Sequence, residues 1–190
     1  MKPIIKYRGG KSKEIPNFIQ FIPQNYDRYV EPFLGGAALY FYLEPHAALI
    51  NDINDKLINF YLSVRNNFNA LRKELTSIET TYISNQIAYE KLKATDTTSI
   101  YVENKNEALY YLLRDMFNAK IEKKYSDASL YYFINKTSYS GMLRFNSKGE
   151  FNVPFGRYKN FNTKFVSKAH SELLNKAEIT NTDYSDVFNR

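Results

Sequence analysis

A glycine pair between two short apolar segments excludes most folds for this chain. The segment Tyr29–Val30 has the composition of a strand, and Gly35–Gly36 follows it and leads into helix-forming residues 37–43. A second strand candidate covers residues 47–50, and Asp52 stands near its end. Strand, glycine turn, helix and strand in this order predict the beginning of an α/β unit.

The rest of the chain alternates between helical patterns and a polar stretch. Further elements are predicted, in chain order, as helices over residues 56–75, 89–93, 106–118 and 162–176 and a strand over residues 179–183. Between the last two helices, a polar and basic stretch with several glycines favours hairpins and loops. The 190 residues suffice for one large domain, or for one domain with a sizeable insertion.

Composition excludes several classes of site. The chain has no cysteine, which removes disulfides, zinc–thiolate sites and thiol catalysis. Its two histidines, His46 and His170, are far apart in sequence, so no metal site is predicted. No apolar run approaches the roughly 20 residues that span a bilayer. The apolar part of the N-terminus is too short for a signal peptide, and we expect a cytoplasmic protein with no membrane partner.

The net charge of +6 is concentrated in one part of the chain. Between Asn118 and Lys168 there are ten Lys or Arg and three acids, so this stretch carries +7 and the remainder about −1. Such a local basic excess indicates a polyanionic partner. A solvated basic face with no partner explains the charge alone equally well.

The glycine pair and Asp52 together fit an adenosyl ligand. Glycines directly after a strand let the backbone approach a ligand closely, because they have no Cβ. An acid at the end of the next strand can accept hydrogen bonds from both hydroxyls of a ribose. The alternative is an ordinary glycine turn with Asp52 as a helix cap.

A second glycine turn lies near the N-terminus, in the run Lys6-Tyr7-Arg8-Gly9-Gly10-Lys11. Its amides and basic side chains could face an anion, with the aromatic ring beside a base. The run lacks the spacing of a phosphate-binding P-loop. By itself it is more typical of an ordinary short basic turn.

Four motifs in this order resemble the Dam-like (D12 class) DNA N6-adenine methyltransferases. They are residues 6–11, residues 31–36, Asn51-Asp52-Ile53-Asn54, and residues 149–159 with the sequence Gly-Glu-Phe-Asn-Val-Pro-Phe-Gly-Arg-Tyr-Lys. The segment from Asn135 to Arg144 is also similar to the hairpin with which that family reads DNA. The resemblance covers nearly the whole chain.

The resemblance implies an α/β fold: a partial Rossmann-like methyltransferase sheet with an inserted, mostly helical DNA-recognition domain that contains a β-hairpin. On this basis we divide the chain into three segments. Residues 1–55 are the first part of the cofactor-binding core, residues 56–168 the DNA-recognition region, and residues 169–190 the return to the core.

The cofactor implied by the resemblance is S-adenosyl-L-methionine. Tyr7 matches an aromatic residue that packs on the cofactor, with Lys11 close to the same ligand, and Asp52 matches the ribose-binding acid. Asp183 and Tyr184 match a late segment that contacts the cofactor adenine. The cofactor loop corresponds to residues 31–36, with Glu31, Phe33, Gly35 and Gly36 as its contact residues.

Double-stranded DNA is the implied partner. Lys6 matches a lysine that can reach a base of the recognition sequence. The residues that match the DNA-entering hairpin are Tyr139, Ser140, Met142 and Arg144. Those that match the phosphate contacts are Arg157, Tyr158 and Lys159. Tyrosines interleaved with basic residues also suit base extrusion, and among these rings we single out Tyr139.

Three positions depart from the family pattern. Tyr7 stands where tryptophan is frequent, and Ala37 stands where a third glycine is common. Ser140 replaces a larger polar residue, so the recognition sequence does not follow from the resemblance.

No catalytic residue is assigned, because the family's adenine-holding motif is absent from the sequence. That motif is an Asp, Asn or Ser followed by two prolines and an aromatic residue, typically Asp-Pro-Pro-Tyr. None of the six prolines is adjacent to another. We expect a split enzyme in which a second methyltransferase subunit supplies the motif. The alternatives are a truncated methyltransferase and a non-catalytic DNA-binding protein.

Overall fold

The computed structural model describes residues 1–95 and 102–189. They contain a parallel sheet of three strands in the order β1-β2-β3: β1 is Tyr29–Glu31, β2 is Ala48–Asn51 and β3 is Ala177–Thr180. In the register, Leu49 of β2 pairs with Val30 on one side and with Glu178 on the other. The α/β class is therefore confirmed.

Eight α-helices occur in the described residues. In chain order they are α1 (Ile15–Phe18), α2 (Ala38–Leu43), α3 (Asp55–Asn66), α4 (Phe68–Thr95), α5 (Lys105–Phe117), α6 (Asp127–Thr137), α7 (Lys168–Leu174) and α8 (Tyr184–Phe188). Short 3-10 turns lie at Lys11–Lys13, Ile19–Phe21 and Tyr139–Gly141.

The chain divides into two compact units. The first comprises Met1–Asn69 and Lys164–Arg190, and the second comprises Ala70–Thr163. The predicted segment boundaries at 55/56 and 168/169 thus differ from the observed ones. The reason is that α3 belongs with the sheet: the Arg65 guanidinium donates to the Ala177 carbonyl at 3.2 Å, and the Ser171 hydroxyl donates to the Arg65 carbonyl at 3.3 Å. The roles assigned to the segments stay predictions.

The core of the first unit forms around β2, whose four residues are all buried. A strand covered on both faces requires a continuous apolar run, which Ala48–Ile50 supplies. Tyr40 of α2 is fully buried and donates its hydroxyl to the Leu173 carbonyl at 2.8 Å. The Asn54 side chain accepts from the Leu57 N–H and starts α3 directly after the sheet edge.

The second unit packs around α6, in which nine of eleven residues are buried. The buried Tyr132 ring has a polar partner: its hydroxyl donates to the Asn162 carbonyl at 2.7 Å. From α5, the Tyr110 hydroxyl donates to the Val153 carbonyl at 2.7 Å. Tyr131 and Tyr132, two of the tyrosines interleaved with basic residues, are buried core residues.

Several predicted elements need correction. The single helix predicted over residues 56–75 is two helices, because α3 ends at Asn66 and α4 begins at Phe68. The loops predicted after residue 118 include α6, and the late helix covers only Lys168–Leu174. Within the described residues, no helix is both long and apolar enough to cross a membrane.

Candidate functional site

A cavity of about 180 Å³ opens in the first unit beside the carboxyl end of β1. Sheets of this kind bind ligands at the carboxyl ends of their strands. The lining residues come from the N-terminal segment, β1, the glycine turn and α2: Tyr7, Gly9, Gly10, Lys11, Phe18, Glu31, Phe33, Leu34, Gly35, Gly36, Ala38 and Leu39. Six of the nine residues predicted to bind a cofactor are among them.

The Tyr7 ring lies directly over the glycine turn. A Cβ on Gly35 would be 2.9 Å from Tyr7 Cε1, and a Cβ on Gly36 would be 2.8 Å from Tyr7 Cβ. Gly35 also has φ +49°, a left-handed conformation that glycine adopts without strain. Both glycines are thus required by the approach of Tyr7, and the two glycine motifs of the sequence meet at one place.

The Asp52 carboxylate fixes this turn by a hydrogen bond. It is 8% exposed, and its oxygens accept from the Gly35 N–H at 2.8 Å and from the Asn54 N–H at 3.0 Å. Each carboxylate oxygen has a second lone pair, so hydroxyl donors can still bind. The helix-capping alternative does not hold, because Asn54 caps α3 and Asp52 orients Asn54.

The Asn51 side chain joins the loops that follow the strands, and the sequence reasoning did not assign it. Its amide group donates to the carbonyls of Pro32 at 3.1 Å and Thr182 at 3.0 Å. Its Oδ1 accepts from the Thr180 hydroxyl at 2.8 Å and the Thr182 N–H at 3.0 Å. A polar amide at the end of a fully buried strand is the one signal that could have revealed it.

Glu31 is the acidic residue of the cavity wall. Burial raises the pKa of its carboxyl to about 7, the hydrogen bond from the Tyr29 hydroxyl opposes this shift, and the charge of Asp52 adds to it. The Tyr29 hydroxyl lies 2.8 Å from Glu31 Oε2. Glu31 therefore changes its charge near neutral pH.

Exposed aromatic rings continue the site toward α8. The Phe33 and Tyr184 ring centroids are 5.2 Å apart, and those of Tyr184 and Phe188 are 6.2 Å apart. Asp183 caps α8: its carboxylate accepts from the Ser185 N–H and hydroxyl, which lowers its pKa. The predicted pair Asp183–Tyr184 thus lies beside the predicted Phe33, while Phe188 was not predicted.

In the second unit, the turn after α6 is tied to the segment around Gly156. Ser138 forms an antiparallel bridge with Phe155, and the Gly156 N–H donates to the Thr137 carbonyl at 2.8 Å. A Cβ on Gly156 would lie 2.9 Å from the carbonyl oxygens of Thr137 and Ser138. This crossing places the Tyr139–Gly141 turn beside Pro154, whose carbonyl accepts from the Tyr139 N–H at 2.9 Å.

The predicted hairpin segment begins inside α6, because residues 135–137 are helical. Antiparallel bridges then join Ser138 to Phe155 and Phe145 to Phe151, so residues 138–144 form the first arm of a hairpin-like turn. The Arg144 Nε donates to Asn152 Oδ1 at 2.9 Å across this turn. The helix persists because Phe133 and Ile134 are fully buried and anchor its last turn.

Most of the predicted DNA contacts in this unit are exposed. Tyr139 is 56% exposed, Arg144, Arg157 and Lys159 are exposed, and Lys159 lies 3.8 Å from Glu90 in a solvent-facing ion pair. Ser140 is exposed at φ 54°, while Met142 and Tyr158 are half-buried. Lys6 is half-buried in the first unit, immediately before Tyr7.

Comparison with known families matches residues 7–190 to the family described as D12 class N6 adenine-specific DNA methyltransferase. The chain belongs to this family.

Curated relatives agree with membership of the D12 class. The type II methyltransferase M.MjaIII of Methanocaldococcus jannaschii is 34% identical over 98% of this chain and 64% of its own length. The type II methyltransferase M.CviBI of Paramecium bursaria Chlorella virus NC1A is 29% identical over 99% and 63%. The DNA adenine methylase of Serratia marcescens is 30% identical over 83% and 50%.

The D12-class chain thus spans between half and just under two thirds of the length of these relatives. The resemblance predicted from its four motifs is confirmed at the level of the family. The roles of individual residues in binding cofactor or DNA stay predictions.

Proposed function

We propose that this chain provides the S-adenosylmethionine-binding and DNA-recognition parts of a site-specific DNA adenine N6-methyltransferase. The observation that carries the proposal is the cavity at the carboxyl end of β1, where Tyr7 covers a glycine turn held by Asp52. Membership of the D12 class supports the substrate and the cofactor.

The residues present fit the cofactor in their chemistry. The glycines leave backbone exposed where a Cβ would fill the approach, and Asp52 retains lone pairs for ribose hydroxyls. The exposed rings of Phe33 and Tyr184 offer apolar surface for a purine. When bound, S-adenosylmethionine supplies an electrophilic methyl group.

The second unit supplies the DNA contacts in this proposal. Tyr139 is an exposed ring on a turn with two successive left-handed residues, Ser140 at φ 54° and Gly141 at φ 61°. Arg144 can bridge the acceptors of a guanine edge, and Arg157 and Lys159 can neutralise phosphates. The basic excess of residues 118–168 favours the same partner.

Methyl transfer needs one more group than these 190 residues contain. Adenine N6 is a poor nucleophile because its lone pair is delocalised into the ring, so acceptors must hold it in line with the methyl group. The paired-proline motif that does this in the family is absent from the sequence. We therefore propose that a segment outside residues 1–190, carrying an Asp-Pro-Pro-Tyr motif, completes the site.

The test is incorporation of a tritiated methyl group into duplex DNA by the purified chain. We expect no incorporation by residues 1–190 alone, and sequence-specific incorporation when a family C-terminal fragment with the motif is added. A fragment whose motif is changed to Ala-Pro-Pro-Ala is the matched control. Robust incorporation by the chain alone would refute the proposal, and DNA binding without transfer in any mixture would favour a non-catalytic DNA-binding protein.

A further inference from the structure

Glu31, the acidic residue that lines the cavity, has a tyrosine partner that no prediction assigned to the cofactor site. Tyr29 and Glu31 are two residues apart on β1, so their side chains leave the strand on the same face. The Tyr29 hydroxyl donates to Glu31 Oε2 at 2.8 Å, which leaves Oε1 without this partner. Burial and the neighbouring carboxylate raise the pKa of Tyr29 above its usual range, so the phenol stays a donor.

The charges on the cavity wall match the two ends of an amino acid. Among the described residues that line the cavity, Glu31 is the acid and Lys11 the base. An α-amino acid carries one ammonium and one carboxylate, which these side chains complement. Pockets for whole drug-sized ligands measure about 300–1,000 Å³, so a cavity of about 180 Å³ suits only one part of a large cofactor.

We propose that Tyr29 is a positioning residue that holds the Glu31 carboxylate toward the ammonium group of the cofactor's amino-acid end. The proposal rests on the proposed function, since it assigns one part of the same cofactor. Lys11 takes the carboxylate of that end. The adenosine part then lies outside this cavity.

The groups around Glu31 determine how this contact depends on pH. The Tyr29 hydroxyl stabilises its charged form, and the Asp52 carboxylate opposes it. Tyr7 and Lys11 lie on the same cavity wall, and Tyr26 faces Tyr29. Because the carboxyl of Glu31 titrates at about 7, the ammonium contact is present above that pH and is lost as the pH falls through it.

Substitution of Tyr29 by Phe removes the hydrogen bond but keeps the ring. This hydrogen bond stabilises the ionised carboxylate, so its loss raises the Glu31 pKa by about one unit. Glu31 would then be about half ionised at pH 7 in the wild type and about one tenth ionised in Tyr29→Phe, so binding weakens about fivefold. Glu31→Gln keeps the shape and removes the charge at every pH.

The experiment is calorimetric titration of the full chain with S-adenosylmethionine between pH 6 and 8. The second probe is 5′-methylthioadenosine, which keeps the adenosine and lacks the amino-acid end. Tyr40→Phe is the matched control, because it removes a buried tyrosine hydrogen bond to the Leu173 carbonyl, from a ring that packs against Tyr29, and removes no hydrogen bond of Glu31.

We expect the affinity for S-adenosylmethionine to fall below pH 7 in the wild type and in Tyr40→Phe. In Tyr29→Phe the midpoint of this pH dependence should rise by about one pH unit. In Glu31→Gln the affinity should no longer depend on pH in this range. Binding of 5′-methylthioadenosine should be the same in all four proteins. An unchanged midpoint in Tyr29→Phe, or an equal loss for both probes, would overturn the positioning role while the proposed function stands. No binding of either probe by the wild type would refute the proposed function together with this inference.

Discussion

The contact between Tyr7 and the glycine turn predicts which substitutions of Tyr7 restore the stability that is lost when a glycine of the turn becomes alanine. An alanine Cβ at position 35 would meet the Tyr7 ring at 2.9, 3.2 and 3.3 Å, and it would sit on a backbone with φ +49°. The left-handed conformation costs about 1–2 kcal/mol for alanine. Overpacking against the ring costs about 1–3 kcal/mol more. We expect Gly35→Ala to destabilise the chain by about 2–5 kcal/mol in total.

The two parts of that cost separate in a double-mutant cycle. Tyr7→Ala removes the ring, so Gly35→Ala in that background should cost only the backbone part, and the coupling should equal the overpacking part, about 1–3 kcal/mol. Gly36→Ala behaves differently, because its Cβ would lie 2.8 Å from Tyr7 Cβ, an atom that alanine retains. Tyr7→Ala should therefore not relieve Gly36→Ala, whereas Tyr7→Gly should.

Urea denaturation followed by far-ultraviolet circular dichroism measures all these variants. The reasoning is refuted if Gly35→Ala and Tyr7→Ala are additive within about 0.5 kcal/mol. It is refuted equally if Tyr7→Ala and Tyr7→Gly relieve Gly36→Ala to the same extent. Either result would mean that Tyr7 does not lie over the turn.

Two further predictions concern the ligands. Asp52→Ala should lower the calorimetric affinity for S-adenosylmethionine about tenfold or more, because a charge-assisted hydrogen bond worth roughly 1.5–3 kcal/mol is lost; unchanged affinity in a folded variant would remove Asp52 from the site. Arg144→Ala should weaken binding to cognate duplex more than to random duplex, as expected of a base contact, whereas Lys159→Ala should weaken both alike and reduce the salt dependence. Filter binding at several salt concentrations distinguishes them, and equal losses for Arg144→Ala would make it a phosphate contact.

The first α/β unit could be predicted because its signals are local. A strand, a glycine pair and a second strand occur within 25 residues, and β1, α2 and β2 follow that order. Only the family resemblance could bring Tyr7 and Gly35 to one place, because it assigns both residues to the cofactor. Their contact joins residues 28 positions apart, and spacing alone does not show which loops meet.

The elements that prediction missed have identifiable physical reasons. Helix α6 is buried on nearly every side, so it lacks the one-sided apolar stripe that reveals a surface helix. The break between α3 and α4 at Asn67 has no sequence signal, because apolar residues continue at helical spacing on both sides of it. Asn51 was not assigned because its role lies in hydrogen bonds to three residues, Pro32, Thr180 and Thr182, and the last two come about 130 residues later in the chain.

The Asn51 amide has a consequence for how fast and how tightly a ligand can bind at this edge. Since one side chain already fixes the loops after β1 and β3, their order is established when the chain folds. A ligand that arrives there does not have to immobilise those loops, so less of its interaction energy is offset by lost conformational entropy. Replacing this amide would leave the contact surface of the ligand intact and still slow its capture, because the receptive arrangement would be one of several in the free protein.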